Sequence, residues 1–133
     1  MLIDHIAIVV KKIRDARDHY EGFLNFHPVT EIITDQIQKV KVQFLANEAG
    51  ERIELIEPLD DSSPSMNALK KGGGVNHICY RCSHLESIVE TARMKKIRMV
   101  CPPVPGAGLG GCRVAFFVVP AIGLVEFVEY EKT

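Results

Sequence analysis

The sequence predicts an α+β fold built from two βαβββ modules, and an internal repeat with an offset of 72 residues is the main evidence. The segments DHIAIVV and ERIELIE return as NHICYRC and GLVEFVE at the same spacing. Short apolar runs of this length are typical of buried strands. Two helical stripes recur at the same offset: Ile13, Ala16 and Tyr20 in the first module, and Leu85, Ile88 and Ala92 in the second.

The first module begins with a predicted strand at Ile3–Val10 and continues into a helix over Ile13–Leu24. Pro28 prevents that helix from continuing, because proline lacks the backbone N–H that the next turn needs. Three further strands are predicted, at Val29–Thr34, Val40–Leu45 and Arg52–Glu57.

The second module repeats this order, starting with a strand at Val75–Cys82. Ser83 and Glu86 have the spacing of a capping box, which predicts a helix from there to about Lys96. Its three further strands are predicted at Arg98–Val100, Arg113–Val118 and Leu124–Glu129.

The chain length of 133 residues predicts one domain over residues 1–133, because a single core typically serves roughly 100–200 residues. The modules cover about 1–58 and 75–130. A short helical linker over 59–74 joins them, with Ser63 as its N-cap and Pro64 as its first helical residue.

Composition excludes several classes of protein. The hydrophobic content of 47% and the net charge of −1 are ordinary for a globular protein and favour neither nucleic acid nor an anionic membrane as partner. No apolar run approaches the roughly 18 residues of a membrane span, and no signal peptide pattern precedes the first strand. We therefore expect a cytoplasmic protein with free thiols at its four cysteines.

Four residues of the repeat are types that bind divalent metals: His5, Glu54, His77 and Glu126. Strand alternation places each on the face opposite its large apolar neighbours, such as Ile53 and Leu55 beside Glu54. Matched residues could serve packing alone, but two buried glutamates without a cation would cost several kcal/mol or have to be protonated. The sequence therefore predicts one divalent ion, Ni²⁺, Co²⁺, Zn²⁺ or Mn²⁺, between the modules.

Local motifs extend the repeat to a resemblance that spans essentially the whole chain. The segments DHIAIVVK, ELIEPLDDSSP, NHICY, PGAGLGGCRVAFFVVP and VEFVEY are similar to those of the vicinal oxygen chelate (glyoxalase/bleomycin resistance/dioxygenase) superfamily. That resemblance implies an eight-stranded open cup, the glyoxalase-like fold, in which both modules surround a metal. It also implies a homodimer.

Two branches of the superfamily compete for the detailed resemblance. The local motifs look most like methylmalonyl-CoA epimerase, but Ile37 stands where that branch has a second catalytic carboxylate. The set of two histidines and two glutamates is closer to glyoxalase I (lactoylglutathione lyase), although Val9 replaces the glutathione-binding arginine usual there.

We expect from these features a metal-dependent lyase or isomerase that abstracts a proton next to a carbonyl, through a metal-stabilised enediolate, as glyoxalase I does. The alternative is an acyl-CoA epimerase like methylmalonyl-CoA epimerase. An extradiol-type dioxygenase or a metal-free small-molecule binding or resistance protein agrees less well with four ligands. Glu126 is the first choice for the base and Glu54 the second.

Two cations at matched positions, Lys41 and Arg113, are expected from strand parity to share the face of the four ligand candidates. They are candidates for binding a carboxylate or phosphate of the small-molecule substrate, a hemithioacetal or an acyl thioester. The alternative is that both are solvated charges on a rim. A second matched pair, Glu57 and Glu129, falls with the helix-facing residues and is expected to be partly solvated.

Overall fold

The computed structural model describes residues 1–130 and confirms the α+β class, with nine strands and three α-helices in that range. Residues 131–133 of the predicted domain lie outside the described residues. The strands are β1 (Ile3–Val9), β2 (His27–Pro28), β3 (Ile33–Asp35), β4 (Val40–Ala46), β5 (Arg52–Pro58), β6 (Gly74–Cys82), β7 (Arg98–Pro105), β8 (Arg113–Val119) and β9 (Gly123–Glu129). The helices are α1 (Ile13–His19), α2 (Met66–Lys70) and α3 (Leu85–Met94).

The chain divides into two compact units that differ only slightly from the predicted modules. The first unit comprises His5–Asn76. The second comprises Met1–Asp4 together with the residues from His77 onward, so the first strand contributes to both units.

In the first unit, β1 lies parallel to β5, and β5 lies antiparallel to β4. The strand predicted at Val29–Thr34 is replaced by β2 and β3, two short strands that both pair with β4. Pro28 ends β2, as expected of a residue that cannot donate to a continuing ladder. Residues 1–130 thus form nine strands, one more than the eight implied by the repeat.

The core of the first unit lies between α1 and the sheet. Ile13, Leu45 and Leu55 are at most 1% exposed, and the predicted stripe residues Ala16 and Tyr20 pack against them. The predicted helix over Ile13–Leu24 has its last turn as a π-helix, Tyr20–Leu24, which ends at Asn25 in the left-handed conformation.

In the second unit, β6 lies parallel to β9, which pairs antiparallel with β8, and β8 pairs antiparallel with β7. The carbonyl of Leu2 accepts a hydrogen bond from the backbone of Arg81. Strand β7 is longer than predicted and contains three prolines, with two register shifts against β8. An edge position tolerates such residues because one side of the strand has no ladder to satisfy.

The core of the second unit repeats that of the first. Leu85, Ala92, Ala115 and Phe117 are buried, and Ile88 of the predicted stripe packs against them. Helix α3 therefore covers the same sheet face in its unit as α1 does in the first.

The predicted helix starts need correction. The capping box of Ser83 and Glu86 is wrong, because α3 begins at Leu85 with His84 as an N-cap that makes no side-chain cap. The linker helix α2 begins at Met66 after Ser65, two residues later than predicted from Ser63 and Pro64. None of the helices within residues 1–130 is long and apolar enough to cross a bilayer.

Candidate metal centre

The first unit brings His5 of β1 next to Glu54 of β5. The parallel register sets Ala7 opposite Glu54, and His5 shares the face of Ala7, so the two side chains lie diagonally on one face. Nε2 of His5 is 3.4 Å from Oε1 of Glu54. Their side chains are 0% and 11% exposed, so the first predicted half of the metal site is a close and buried pair.

The second unit holds His77 of β6 and Glu126 of β9 in the same arrangement. Here Cys79 lies opposite Glu126, and His77 shares the face of Cys79. Nε2 of His77 is 3.2 Å from Oε1 of Glu126, a hydrogen-bond distance, and the side chains are 3% and 6% exposed. The repeat is thus a repeat of geometry as well as of sequence.

An aromatic ring supports each histidine in the same way. The ring of Phe44 meets His5 edge to face at 5.0 Å, and Phe116 meets His77 at 5.1 Å. Each phenylalanine lies directly across the ladder from the glutamate of its unit, Glu54 or Glu126. The imidazoles are therefore held by packing as well as by the carboxylates, which fixes the ring orientation a metal ligand needs.

The two pairs have the chemistry of a divalent metal site. Each offers one imidazole nitrogen and one carboxylate oxygen, donors that suit first-row divalent ions. Burying a carboxylate is costly unless a cation or hydrogen bonds compensate. A metal ion bound to either pair would compensate the burial of its glutamate, so the residues of each unit fit the group that the sequence predicts.

The structure places Lys41 and Arg113 away from the histidines. Residues on β4 alternate, so Lys41 shares a face with Leu45 in the helix-packed core rather than with Phe44. Arg113 likewise shares the face of Ala115 and donates to Glu129. Both cations thus lie on the helix side of their strands, contrary to expectation, and their role in binding substrate stays a prediction.

Arg113 belongs to a three-residue charge network at the start of α3. Its Nη2 is 2.9 Å from Glu129 and 2.7 Å from Glu86. These two carboxylates raise the pKa of Arg113. The backbone N–H of Leu85, and then Arg113, lower the pKa of Glu129, and hydrogen bonding from Arg113 lowers the pKa of Glu86.

Ile37 lies on the turn between β3 and β4 and is 69% exposed. The nearest carboxylate in sequence, Asp35, accepts hydrogen bonds at Oδ1 from the backbone N–H groups of Ile37 and Gln38. Asp35 is therefore engaged in stabilising its own turn and is a poor substitute for the missing base.

Sequence reasoning missed two sets of buried or capping carboxylates. Glu57 accepts a hydrogen bond from the backbone N–H of Ile13, as Glu129 does from Leu85, so these residues, predicted only to be partly solvated, cap helices. Ile13 and Leu85 are themselves one repeat apart, which was the available signal. Asp4, which is 4% exposed, was also missed, because a charged residue close to a chain end is expected to be solvent-exposed.

Comparisons with known proteins agree with this fold. A family model described as Glyoxalase/Bleomycin resistance protein/Dioxygenase superfamily matches residues 4–116. "Uncharacterized protein YqjC" of Bacillus subtilis (strain 168) is 35% identical over 116 residues, which are 86% of this chain and 80% of that protein.

Two similar proteins are methylmalonyl-CoA epimerases. The mitochondrial enzyme of Dictyostelium discoideum is 30% identical over 131 residues, covering 96% of this chain and 77% of that protein. The crystal structure of the Mycobacterium tuberculosis enzyme is similar with a TM-score of 0.85 and 27% identity, covering 98% of this chain and 88% of that one. By its family match and its relatives, the chain belongs to the glyoxalase/bleomycin resistance/dioxygenase superfamily.

Proposed function

We propose that this protein is a divalent-metal-dependent isomerase that moves a proton at the carbon next to the carbonyl of an acyl-CoA thioester. The observation that carries the proposal is the pair of equivalent, buried histidine–glutamate contacts, one in each unit. Similarity to methylmalonyl-CoA epimerases from two organisms supports the choice of an acyl-CoA substrate.

The proposed metal ligands are His5, Glu54, His77 and Glu126. In the resting protein, two neutral imidazoles and two carboxylates would together balance the charge of one divalent ion, for which Ni²⁺, Co²⁺, Zn²⁺ and Mn²⁺ are candidates. When bound, such an ion would supply Lewis-acid polarisation of the substrate carbonyl and would stabilise negative charge developing on its oxygen.

Glu126 is the proposed base that removes the proton from the substrate carbon. Its burial in a site that also holds a histidine limits access of water, which strengthens electrostatic interactions within the site. Glu54 is the second carboxylate and the proposed partner on the opposite face of the carbon. Epimerisation requires removal of a proton from one face of the carbon and delivery of a proton to the other. Glu126 would act as the ionised base, and Glu54, carrying a proton taken up from solvent, would act as the acid; the two roles exchange in the reverse direction.

The absence of a carboxylate at Ile37 decides how the two glutamates are used. An epimerase of the usual pattern has a base at that position, whereas this chain has an exposed isoleucine and an Asp35 that caps the turn. Under our proposal, Glu54 and Glu126 therefore perform both proton transfers.

Glyoxalase I-type isomerisation is the second candidate, and the isoleucine at position 37, Ile37, favours it. Moving a proton between adjacent carbons of a hemithioacetal can use one base that takes the proton and returns it, so no carboxylate is needed at Ile37. The set of two histidines and two glutamates is compatible with either reaction.

Solvent exchange distinguishes the two reactions. Protein loaded in turn with Ni²⁺, Co²⁺, Zn²⁺ or Mn²⁺ is incubated in D₂O with methylmalonyl-CoA, or with methylglyoxal and glutathione. Deuterium incorporation next to the thioester, followed by NMR, together with no turnover of the hemithioacetal, is the expected result. Lactoylglutathione formation without exchange of methylmalonyl-CoA would reverse the choice, and activity on neither substrate would contradict the proposal.

A further inference from the structure

A second polar cluster, formed by Asp4, Arg81 and Tyr130, lies within the second unit. Nε of Arg81 donates to Oδ1 of Asp4 at 3.0 Å, and the Tyr130 hydroxyl donates to the same oxygen at 2.6 Å. The Asp4 side chain is 0% exposed, whereas that of Arg81 is 44% exposed. The Arg81 guanidinium also lies 5.1 Å from the centre of the Tyr130 ring.

This cluster breaks the internal repeat. The residues one repeat away from Asp4, Arg81 and Tyr130 are Asn76, Val9 and Pro58. None of these three can form an ion pair or a cation–π contact with the others. The duplication therefore does not explain the cluster, and a buried carboxylate is a costly way to hold two chain segments together.

These contacts orient the Arg81 guanidinium through its Nε group. Among residues 1–130, its hydrogen bond is the one from Nε to Asp4, which leaves both Nη groups as donors on a half-exposed side chain. A planar guanidinium whose orientation is already fixed binds carboxylate or phosphate oxygens with little further loss of entropy.

The position of Arg81 along β6 relates it to the metal ligand of the same strand. His77 and Arg81 are four residues apart in a strand, so both project from the same face. At about 3.3 Å per residue, their backbones are about 13 Å apart. A ligand that contacts both His77 and Arg81 must therefore have an acidic group about 13 Å from its reacting end.

We propose that Arg81 binds a phosphate of the CoA portion of the substrate, with Asp4 and Tyr130 as positioning residues. The inference rests on the proposed function for where the thioester lies. In a tripeptide thiol such as glutathione, the carboxylates lie only roughly 7–10 Å from the sulfur, given the dimensions of an extended chain. The longer arm of CoA fits the span better, although both molecules offer the same oxyanion chemistry.

Calorimetric titration of the folded protein with CoA, pantetheine and glutathione tests this without requiring turnover. Arg81→Gln is expected to weaken CoA binding roughly 10- to 100-fold, as the loss of a hydrogen bond to a charged group does. Pantetheine, which has no phosphate, should bind both proteins equally. Arg98→Gln, which removes the same charge from an exposed position on β7, is the matched control and should leave all three affinities unchanged.

Removing Arg81 leaves Asp4 buried beside a weaker partner, so the double variant Asp4→Asn/Arg81→Gln is measured alongside, with thermal unfolding of each. Selective loss of CoA affinity in a folded variant supports the proposal. Absence of methylmalonyl-CoA exchange would count against the proposed reaction but not against this binding site. Equal loss for CoA and pantetheine, loss for glutathione only, or unchanged CoA binding in both folded variants would overturn it.

Discussion

At the scale of single residues, Glu54 and Glu126 are both buried, lie opposite a phenylalanine and contact a histidine through one carboxylate oxygen. We expect Glu126→Gln to reduce kcat by about 10²- to 10⁴-fold, the range typical of losing a general base. Metal affinity should fall far less, because the amide oxygen remains a possible ligand.

The measurement combines deuterium exchange with metal titration of the same preparation, and Glu54→Gln is the matched variant. Normal exchange by Glu126→Gln at saturating metal would contradict its assignment as the base. If Glu54→Gln alone is inactive, the order of the two bases is reversed.

The four proposed ligands could be predicted from the sequence because a strand fixes the direction of every side chain by parity. The same reasoning fails for Lys41 and Arg113, because parity within a strand does not give the register between strands that sets Phe44 opposite Glu54 and Phe116 opposite Glu126. Asp4 could not be predicted either, because its partners Arg81 and Tyr130 are distant in sequence.

At the scale of elements, the first residue of each of the two longer α-helices donates its backbone N–H to a glutamate from the last strand of the same repeat. Glu57 caps α1 and Glu129 caps α3. A negative charge at a helix N-terminus contributes about 0.3–1 kcal/mol, and a glutamine in its place keeps an acceptor oxygen but loses this charge. We expect Glu129→Gln to lower Tm more than Glu57→Gln does, because it also removes a carboxylate bound to Arg113. The exposed Glu48→Gln is the neutral control.

The effect of Glu129 should depend on pH. The Leu85 N–H and Arg113 lower its pKa in the folded protein, so its stabilisation is fully present above the unfolded pKa of about 4.3 and is lost as pH falls through the folded pKa. Thermal unfolding between pH 7 and pH 2 should therefore show a Tm difference between wild type and Glu129→Gln that shrinks below about pH 4. A constant difference would contradict the charge-based explanation.

Element boundaries were less predictable than element types. The stripe of Ile13, Ala16 and Tyr20 gave α1 correctly, but periodicity cannot distinguish a final α-turn from the observed π-turn at Tyr20–Leu24. The predicted capping box does not form, although Ser83 and Glu86 have the right spacing. The N–H of Leu85 at the helix start donates instead to Glu129, which is remote in sequence.

At the scale of the whole molecule, the fold class followed from the repeat, because a 72-residue offset that includes strands and helices can only be a duplicated structural unit. The single domain, the homodimer and the cytoplasmic location stay predictions. Choosing between branches of the superfamily needed relatives, since Ile37 favours one reaction while the surrounding motifs favour another.

Metal binding should stabilise the whole molecule. An ion that binds only the folded state at 100 times its Kd adds about 2.7 kcal/mol to the free energy of unfolding. We therefore expect a metal-dependent rise in Tm for wild-type protein, measured by calorimetry with and without chelator, and no rise for His77→Ala. An equal rise in that variant would place the ion elsewhere.

The stoichiometry of metal binding tests most directly whether the two histidine–glutamate pairs act as one centre. Isothermal titration of the metal-free protein, checked by elemental analysis, should give one divalent ion per chain. His5→Ala and His77→Ala should each weaken it strongly, although they lie in different units. Two ions per chain, binding retained in either variant, or no binding at all would contradict a single metal centre.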